Sequence, residues 1–144
     1  MQTFLPFKDF TKSAKVLDWK RLGKQRVETK QIYNSLTIPN HGWRHHPAVR
    51  MWKGYEKALL RYGIAMCREW RRRGYKDSQL SWFLARLSEH KERLVYPSWL
   101  GTRKFHRSHQ SNLLRKDVEF YRNKFLVAIN NSLPYEWNKE YWKE

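Results

Sequence analysis

The stretch "AVRMWKGYEKALLRYGIAMCREWRRRG", Ala48 to Gly74, repeats Trp52, Tyr55, Leu59, Tyr62, Met66 and Trp70 at intervals of three and four residues. Such spacing lines one face of a 3.6-residue helix, whereas a strand would alternate with a period of two. The reading is a central helix that starts at Ala48 and is stopped by Gly74. A stripe of rings this large requires apolar partners, so the remaining segments are read as what covers it.

Upstream, residues from about Lys12 to Leu36 can be helical, preceded by Pro6 and by Asp9 or Thr11. A break is expected between Asp18 and Gly23, which makes the segment two helices or one bent helix. The intervening "TIPNHGWRHHP", Thr37 to Pro47, is rich in residues that punctuate helices and reads as a structured loop. Downstream, Asp77 or Ser78 can cap a helix carrying Leu80, Phe83, Leu84 and Leu87 that ends before Pro97. "YPSWLGTRKFHRSHQ", Tyr96 to Gln110, reads as a second polar and aromatic loop. Leu113, Leu114, Val118, Tyr121 and Phe125 define a last helix interrupted near Asp117, followed by an irregular aromatic tail, "SLPYEWNKEYWKE". Repeats, low-complexity runs and strand-like alternation are missing from the sequence. The expected fold class is all-α, a compact helical bundle with functional loops, in one domain over residues 1–144.

Composition narrows the function. Thirty Lys and Arg against 13 Asp and Glu give a net charge of +17, more than solubility needs and self-repulsive unless a polyanion is the partner. Nucleic acid is the natural candidate. Aromatic residues make up 16% of the chain, which distinguishes it from a disordered basic tail. The single cysteine, Cys67, makes no intramolecular disulfide, and no apolar run approaches the roughly 18 residues that span a bilayer. A cytoplasmic, monomeric protein without a membrane partner is expected. The start "MQTFLPFKDF" lacks the features of a signal peptide, so it is expected to belong to the fold and to need burial.

The stretch "LDWKRLGKQRVETKQI", Leu17 to Ile32, sets Lys20, Arg21, Lys24, Gln25 and Arg26 within two helical turns, with Leu22 and Val27 as anchors. A merely solvated face usually interleaves acids for i,i+4 pairing, and here only Asp18 and Glu28 flank the run. The reading is phosphate contact. His45, His46 and Arg50, then His106, Arg107 and His109, and finally Arg115 and Lys116 extend the candidate DNA-binding set. Arg71 to Arg73 stand at a helix end, where cations offset the dipole or meet DNA. The histidines, His41 included, lack the cysteines usual in structural zinc sites and sit among cations that oppose a dication. No metal and no cofactor is expected. Phosphate hydrogen bonding, proton transfer near the reacting bond and plain packing remain open for each histidine.

Three blocks carry a resemblance: "MQTFLPF..F..SAKVLDWKRLGKQRVE", "GWRHHPAVRMWKGYEKAL..YG....EWRRRGY" and "W-L-G-x-x-x-x-H-R-S-H-x-S-x-L-L-R-K-D". Together they are similar to the phage and bacterial proteins grouped with the pyrimidine-dimer DNA glycosylases, over roughly Met1 to Phe125. The likeness is close to members known as predicted glycosylases and remote from the characterised phage enzyme. The resemblance implies an all-α repair enzyme acting on double-stranded DNA that contains a damaged or modified pyrimidine. It implies that the N-terminal α-amine, here that of Met1, attacks C1′ of the deoxyribose, that the base leaves and an imine forms, and that β-elimination nicks the strand. An α-amine suits this chemistry, because amines of that class titrate at about 7.7–8.0, well below a lysine at about 10.4, and nearby cations favour the neutral form. The characterised enzyme also uses an acid in its early basic helix. Arg21, Gly23 or Lys24 falls in that place here, which leaves Asp18 and Glu28 as the nearest carboxylates and candidate catalytic acids. Gln2 is bulkier than the second residue of that enzyme, so Met1 is expected to be retained. The aromatic tail is implied either to contact the lesion strand or, given Glu136, Glu140 and Glu144, to act as a packing strap.

Overall fold

The computed structural model describes residues 1–125 and 131–144. The interrupted N-terminal segment resolves into two helices, α1 (Phe10–Val16) and α2 (Trp19–Thr37). Asp9 caps α1 through Lys12 N–H at 2.7 Å, and Asp18 caps α2 through Arg21 N–H at 3.3 Å, each satisfying a donor that the first helical turn leaves unpaired. The break expected between Asp18 and Gly23 falls at the first of these, as a capped helix start, and α2 runs on through Gly23.

The central helix is shorter than its periodicity implied. A four-residue turn of helix, α3 (Pro47–Arg50), is followed by bends through Gly54, and the long helix α4 spans Glu56–Arg72. Gly54 adopts φ +85°, a left-handed conformation that side chains with a Cβ rarely take, and this ends the first run. Trp52 and Tyr55 nonetheless remain buried in the core, because the turn brings them back to the same side. The spacing of three and four therefore recorded burial correctly and helix continuity wrongly. Gly74 follows the end of α4, as expected.

Helix α5 (Leu80–Glu89) starts where expected, with Asp77 Oδ2 accepting from Leu80 N–H at 2.7 Å. The "HRSH" segment departs from expectation: α6 (Arg103–Lys116) makes helix of most of the second loop. The interruption at Asp117 is present, and α7 (Val118–Tyr121) stops short of Phe125. Part of the junction between that helix and the tail, residues 126–130, lies outside the described residues. A turn of 3-10 helix at Lys139–Tyr141 lies in the tail.

Helix α4 is the axis of an all-α domain, packed against α1, α2 and α5. Among the described residues there is no strand, and no helix is long and apolar enough to cross a membrane. Gly23 allows one close approach, since a Cβ there would meet the Trp70 ring at 3.1 Å. Its cost in helix propensity, about 1 kcal/mol, is offset by the burial of that contact.

Two mostly non-helical segments, the N-terminal residues and the tail, wrap this bundle, and α6 holds both. From its inner side, His106 Nδ1 donates to Leu5 C=O (2.7 Å), and His109 Nδ1 accepts from Leu5 N–H (3.0 Å). Its next face receives the tail: Ser111 Oγ accepts from Leu133 N–H (3.0 Å), Ser108 Oγ from Glu136 N–H (3.0 Å), and Asn112 Nδ2 donates to Leu133 C=O (3.0 Å). Of the two roles open to the tail, the described portion takes the packing one. Tyr135, Trp137 and Trp142 rest on the core, and Arg50 and Lys143 sit over the Trp142 and Tyr55 rings at 5.6 and 4.4 Å.

Candidate active site

The apolar start of the chain does find burial, as an extended segment whose backbone polar groups are met by side chains. Gln25, fully buried on α2, behaves like a neighbouring strand: its Oε1 accepts from Phe4 N–H at 3.0 Å and its Nε2 donates to Gln2 C=O at 2.9 Å. The Tyr62 hydroxyl donates to Phe4 C=O (2.8 Å) and Trp52 Nε1 donates to Thr3 Oγ1 (3.0 Å). With Leu5 clamped by α6, the N-terminal backbone from Gln2 to Leu5 is fixed against three helices. Met1, half-buried, is the residue this anchoring presents.

Glu28 reaches the same point. One turn beyond Gln25 on α2, its Oε2 accepts from Gln2 N–H at 3.1 Å and from Gln25 Nε2 at 3.4 Å. The carboxylate thus lies one residue from the α-amine, while Asp18 is engaged elsewhere. Asp18 accepts from the Tyr121 hydroxyl and from Arg21 Nη1 (3.0 Å) and is buried at the start of α2. Burial pushes the Asp18 carboxyl up, but those hydrogen bonds and the Arg21 charge outweigh it and hold it below the usual carboxylate range. Of the two acids left open by the sequence, Glu28 stands beside Met1 and Asp18 caps a helix.

His46 is the third member of the cluster. Its Nδ1 accepts from Ala48 N–H at 3.0 Å, capping α3, so the neutral ring carries its proton on Nε2. Burial and then the charge of the N-terminal ammonium depress its basicity, partly opposed by Glu28. The charges of the N-terminus and of Glu28 thus both reach the His46 ring, with opposite effect. Tyr135 closes the other side: burial raises its phenol to about 12, against Arg115, Arg21 and a hydrogen bond with Gln2.

The cations divide by helical geometry. At about 100° per residue, Lys20, Arg21 and Lys24 fall on the Glu28 side of Gln25, and Arg26 turns to the opposite side. Lys20 and Lys24 are exposed, and Arg21 is partly occupied by Asp18. Arg26 is bound internally: its guanidinium pairs with Asp77 and lies over the Trp70 ring at 4.5 Å. A phosphate contact from Arg26 would have to compete with this partner, which burial tends to raise but which Arg26 and two backbone N–H groups hold below its usual range. His45 is exposed in the loop before His46, and Arg50 is exposed at the end of α3, over the Trp142 ring of the tail. Arg107 is half-buried and Lys116 exposed on α6, whereas Arg115 donates to the Asn131 C=O (2.6 Å) and clasps the tail. His106 and His109 lie inside the molecule on Leu5, away from the surface that phosphate contact requires. Burial lowers both, His109 to about 3.

Sequence reasoning assigned Trp52 and Tyr62 to the core and missed their polar tips, which anchor Thr3 and Phe4 from 49 and 58 residues away. Such pairings leave no local signal. Among the described residues no group of three or more His, Cys, Asp or Glu side chains could hold a metal ion.

A protein-family model described as pyrimidine dimer DNA glycosylase matches residues 1–82. That span contains Met1, all of α2, the loop to His46 and α4, and ends before α6 and the tail. None of the curated proteins and none of the solved structures compared with the chain matches it.

Proposed function

The chain belongs to the pyrimidine dimer DNA glycosylase family and is thus a DNA repair glycosylase, and from that premise we propose a mechanism in which Met1 is the nucleophile and Glu28 its carboxylate. The neutral α-amine attacks C1′ of the damaged nucleotide. The glycosidic bond breaks, its electron pair leaving with the pyrimidine, which takes up a proton. As the amine nitrogen sheds its own proton and the sugar ring opens, an imine forms between Met1 and C1′. Removal of a C2′ proton then drives β-elimination, and the electron pair of the C3′–O bond leaves with the 3′ phosphate.

The observation that carries this reading is Glu28 Oε2 on the Gln2 N–H, 3.1 Å away and one residue from the amine. A carboxylate there can accept the proton the amine sheds and balance the positive charge of the iminium. It also accounts for the missing acid earlier in α2. Of the three positions that the resemblance offers for it, Gly23 faces the Trp70 ring and Arg21 and Lys24 are cations, while Glu28 reaches the Gln2 N–H from farther along the helix. Lys20, Lys24 and Arg21 supply phosphate contacts beside the reacting sugar, and the amine cluster sits at the edge of that cationic face.

Borohydride reduction during turnover on a dimer-containing duplex tests the proposal. An adduct on the peptide beginning at Met1 is expected, lost when the chain is extended by one residue at its N-terminus. Glu28→Gln should lower the rate of trapping by about 100-fold or more at unchanged DNA affinity. Asp18→Asn should leave trapping intact and lower the melting temperature instead. Trapping on a lysine peptide would remove Met1 from the role, and tight binding with no adduct would mean a DNA-binding module without this chemistry.

A further inference from the structure

On the side of α4 turned away from α2, the fold leaves an open cavity of about 600 Å³ against α1, α5 and the chain before α6. Tyr62 and Trp70 mark the α2 side, where they meet Gln25 and Gly23. Arg61 and Arg68, which line the cavity, lie about 100–180° around the helix from both. Ile64, Leu87 and Leu100 give the cavity an aliphatic lining. Leu84 and Tyr96 line it too, and they are 41% and 46% exposed. Charge surrounds these apolar groups. Lys8, Arg61 and Arg68 are exposed, and among the described residues none of them pairs with a carboxylate. The arginines at the end of the same helix differ: Arg71 pairs with Asp77 (4.0 Å), and Arg72 and Arg73 pair with Glu69 (2.7 and 2.8 Å). Asp9, the acid among the lining residues, is already engaged as the cap of α1.

We propose that this cavity is a docking site for an acidic segment of a partner protein that carries large apolar side chains. The apolar side chains fill the cavity, and the carboxylates meet Lys8, Arg61 and Arg68. Exposed apolar patches with a polar rim mark such sites, and charge complementarity selects the occupant. Arg61 and Arg68 stand on one face of α4, about 10 Å apart along its axis, which suits separate carboxylates along a segment better than a single anionic head group. Duplex DNA is the poorer fit. It offers phosphates to the cations but little that would displace water from Leu84, Leu87 and Leu100. A second copy of this chain would bring a net charge of +17 against the same cations. The site is independent of the chemistry at Met1. Because it lies on the side of α4 away from α2, the partner segment and DNA bind together.

The experiment selects a displayed library of random peptides, about a dozen residues long, on the full chain with undamaged duplex DNA in excess to occupy its other cationic surfaces. Peptides that combine several Asp or Glu with Leu, Phe or Trp should be enriched. The best of them, labelled and followed by fluorescence polarisation, should bind the DNA-loaded protein. Arg61→Glu combined with Arg68→Glu should weaken that binding at least about tenfold, and Leu84→Ser alone about threefold or more. Exchanging the peptide's apolar residues for Ser at unchanged charge should also cost about tenfold. Both protein variants should keep the parental melting temperature, and their affinity for duplex DNA should change by less than about twofold at physiological salt. The proposal is overturned if acidic, apolar peptides are not enriched, or if the double variant or the Ser-exchanged peptide binds as tightly as the parent pair. A loss of duplex affinity in the double variant as large as the loss of peptide affinity also overturns it, and makes this face a DNA surface.

Discussion

Two pairs of histidines look alike in the sequence, His45–His46 and His106–His109, each set among arginines, and the fold treats them in opposite ways. The first pair stands at the start of α3, His45 exposed and His46 half-buried, with Nδ1 on the Ala48 N–H. The second is buried, with each ring nitrogen facing the backbone of Leu5 hydrogen-bonded to it across about a hundred residues of chain. The two buried rings are also opposite tautomers. His106 donates from Nδ1 and accepts Gly101 N–H at Nε2 (2.9 Å), whereas His109 accepts at Nδ1 and keeps its proton on Nε2, among the Phe105, Tyr135 and Phe4 rings. What makes the second pair a clamp is the backbone partner that each ring meets.

The largest expected effect breaks that clamp. His109→Ala removes a fully buried ring and leaves Leu5 N–H without an acceptor, which should cost about 3–5 kcal/mol by denaturant unfolding. His109→Asn returns an acceptor near the position of Nδ1 and should recover part of the loss. His46→Ala removes only a cap and should cost about 1 kcal/mol while slowing imine trapping. Equal destabilisation by His46→Ala and His109→Ala would erase the distinction between the pairs.

Acid gives the next effect. The His109 pKa falls from an ordinary 6.5 to about 3 in the fold, and His106 shifts the same way, so the unfolded chain binds more protons than the native one between those values. Stability is then complete above about pH 6.5 and declines as pH falls toward 3, by an amount on the order of a few kcal/mol. Denaturant titrations should show this slope in the parent and a shallower one in His109→Asn. A parental slope in the variant would assign the acid sensitivity to other groups.

These contrasts mark how far the sequence could be read. The all-α class, the break at Asp18, the interruption at Asp117 and the core stripe were legible because each rests on local spacing or capping. The charge of the Lys20 to Lys24 face was legible for the same reason, since helical periodicity turns sequence into a surface. The anchoring of the N-terminus was not, because Gln25, Trp52, Tyr62, His106 and His109 meet it over separations of 21 to 104 residues. Helix α6 was hidden by its composition: "RKFHRSHQSNLLRK" spends its inner positions on Ser, His and Asn, which signal loops, to hold two backbone segments without helical partners. That Glu28 rather than Asp18 lies against the first residues was hidden likewise, because the pairing of Glu28 with Gln2 N–H spans 26 residues.

The smallest effect concerns Lys24 and Arg26, neighbours in the same basic run on opposite sides of Gln25. If Lys24 meets phosphate, Lys24→Ala should leave the melting temperature unchanged and make the slope of log affinity against log salt shallower by about one, from an expected −4 to −5 for about five contacts. Arg26→Ala should do the converse. It strips the fully buried Asp77 carboxylate of its closest cation and the Trp70 ring of its cover, so stability should fall by about 1–3 kcal/mol while the salt slope stays put. Measuring both variants in both assays excludes a general weakening of the fold as the cause of either result. A slope that becomes shallower in Arg26→Ala, with stability unchanged, would mean that the guanidinium leaves Asp77 for DNA. The cationic face of α2 would then extend around the helix toward α4, and Asp77 would compete with phosphate for the same side chain.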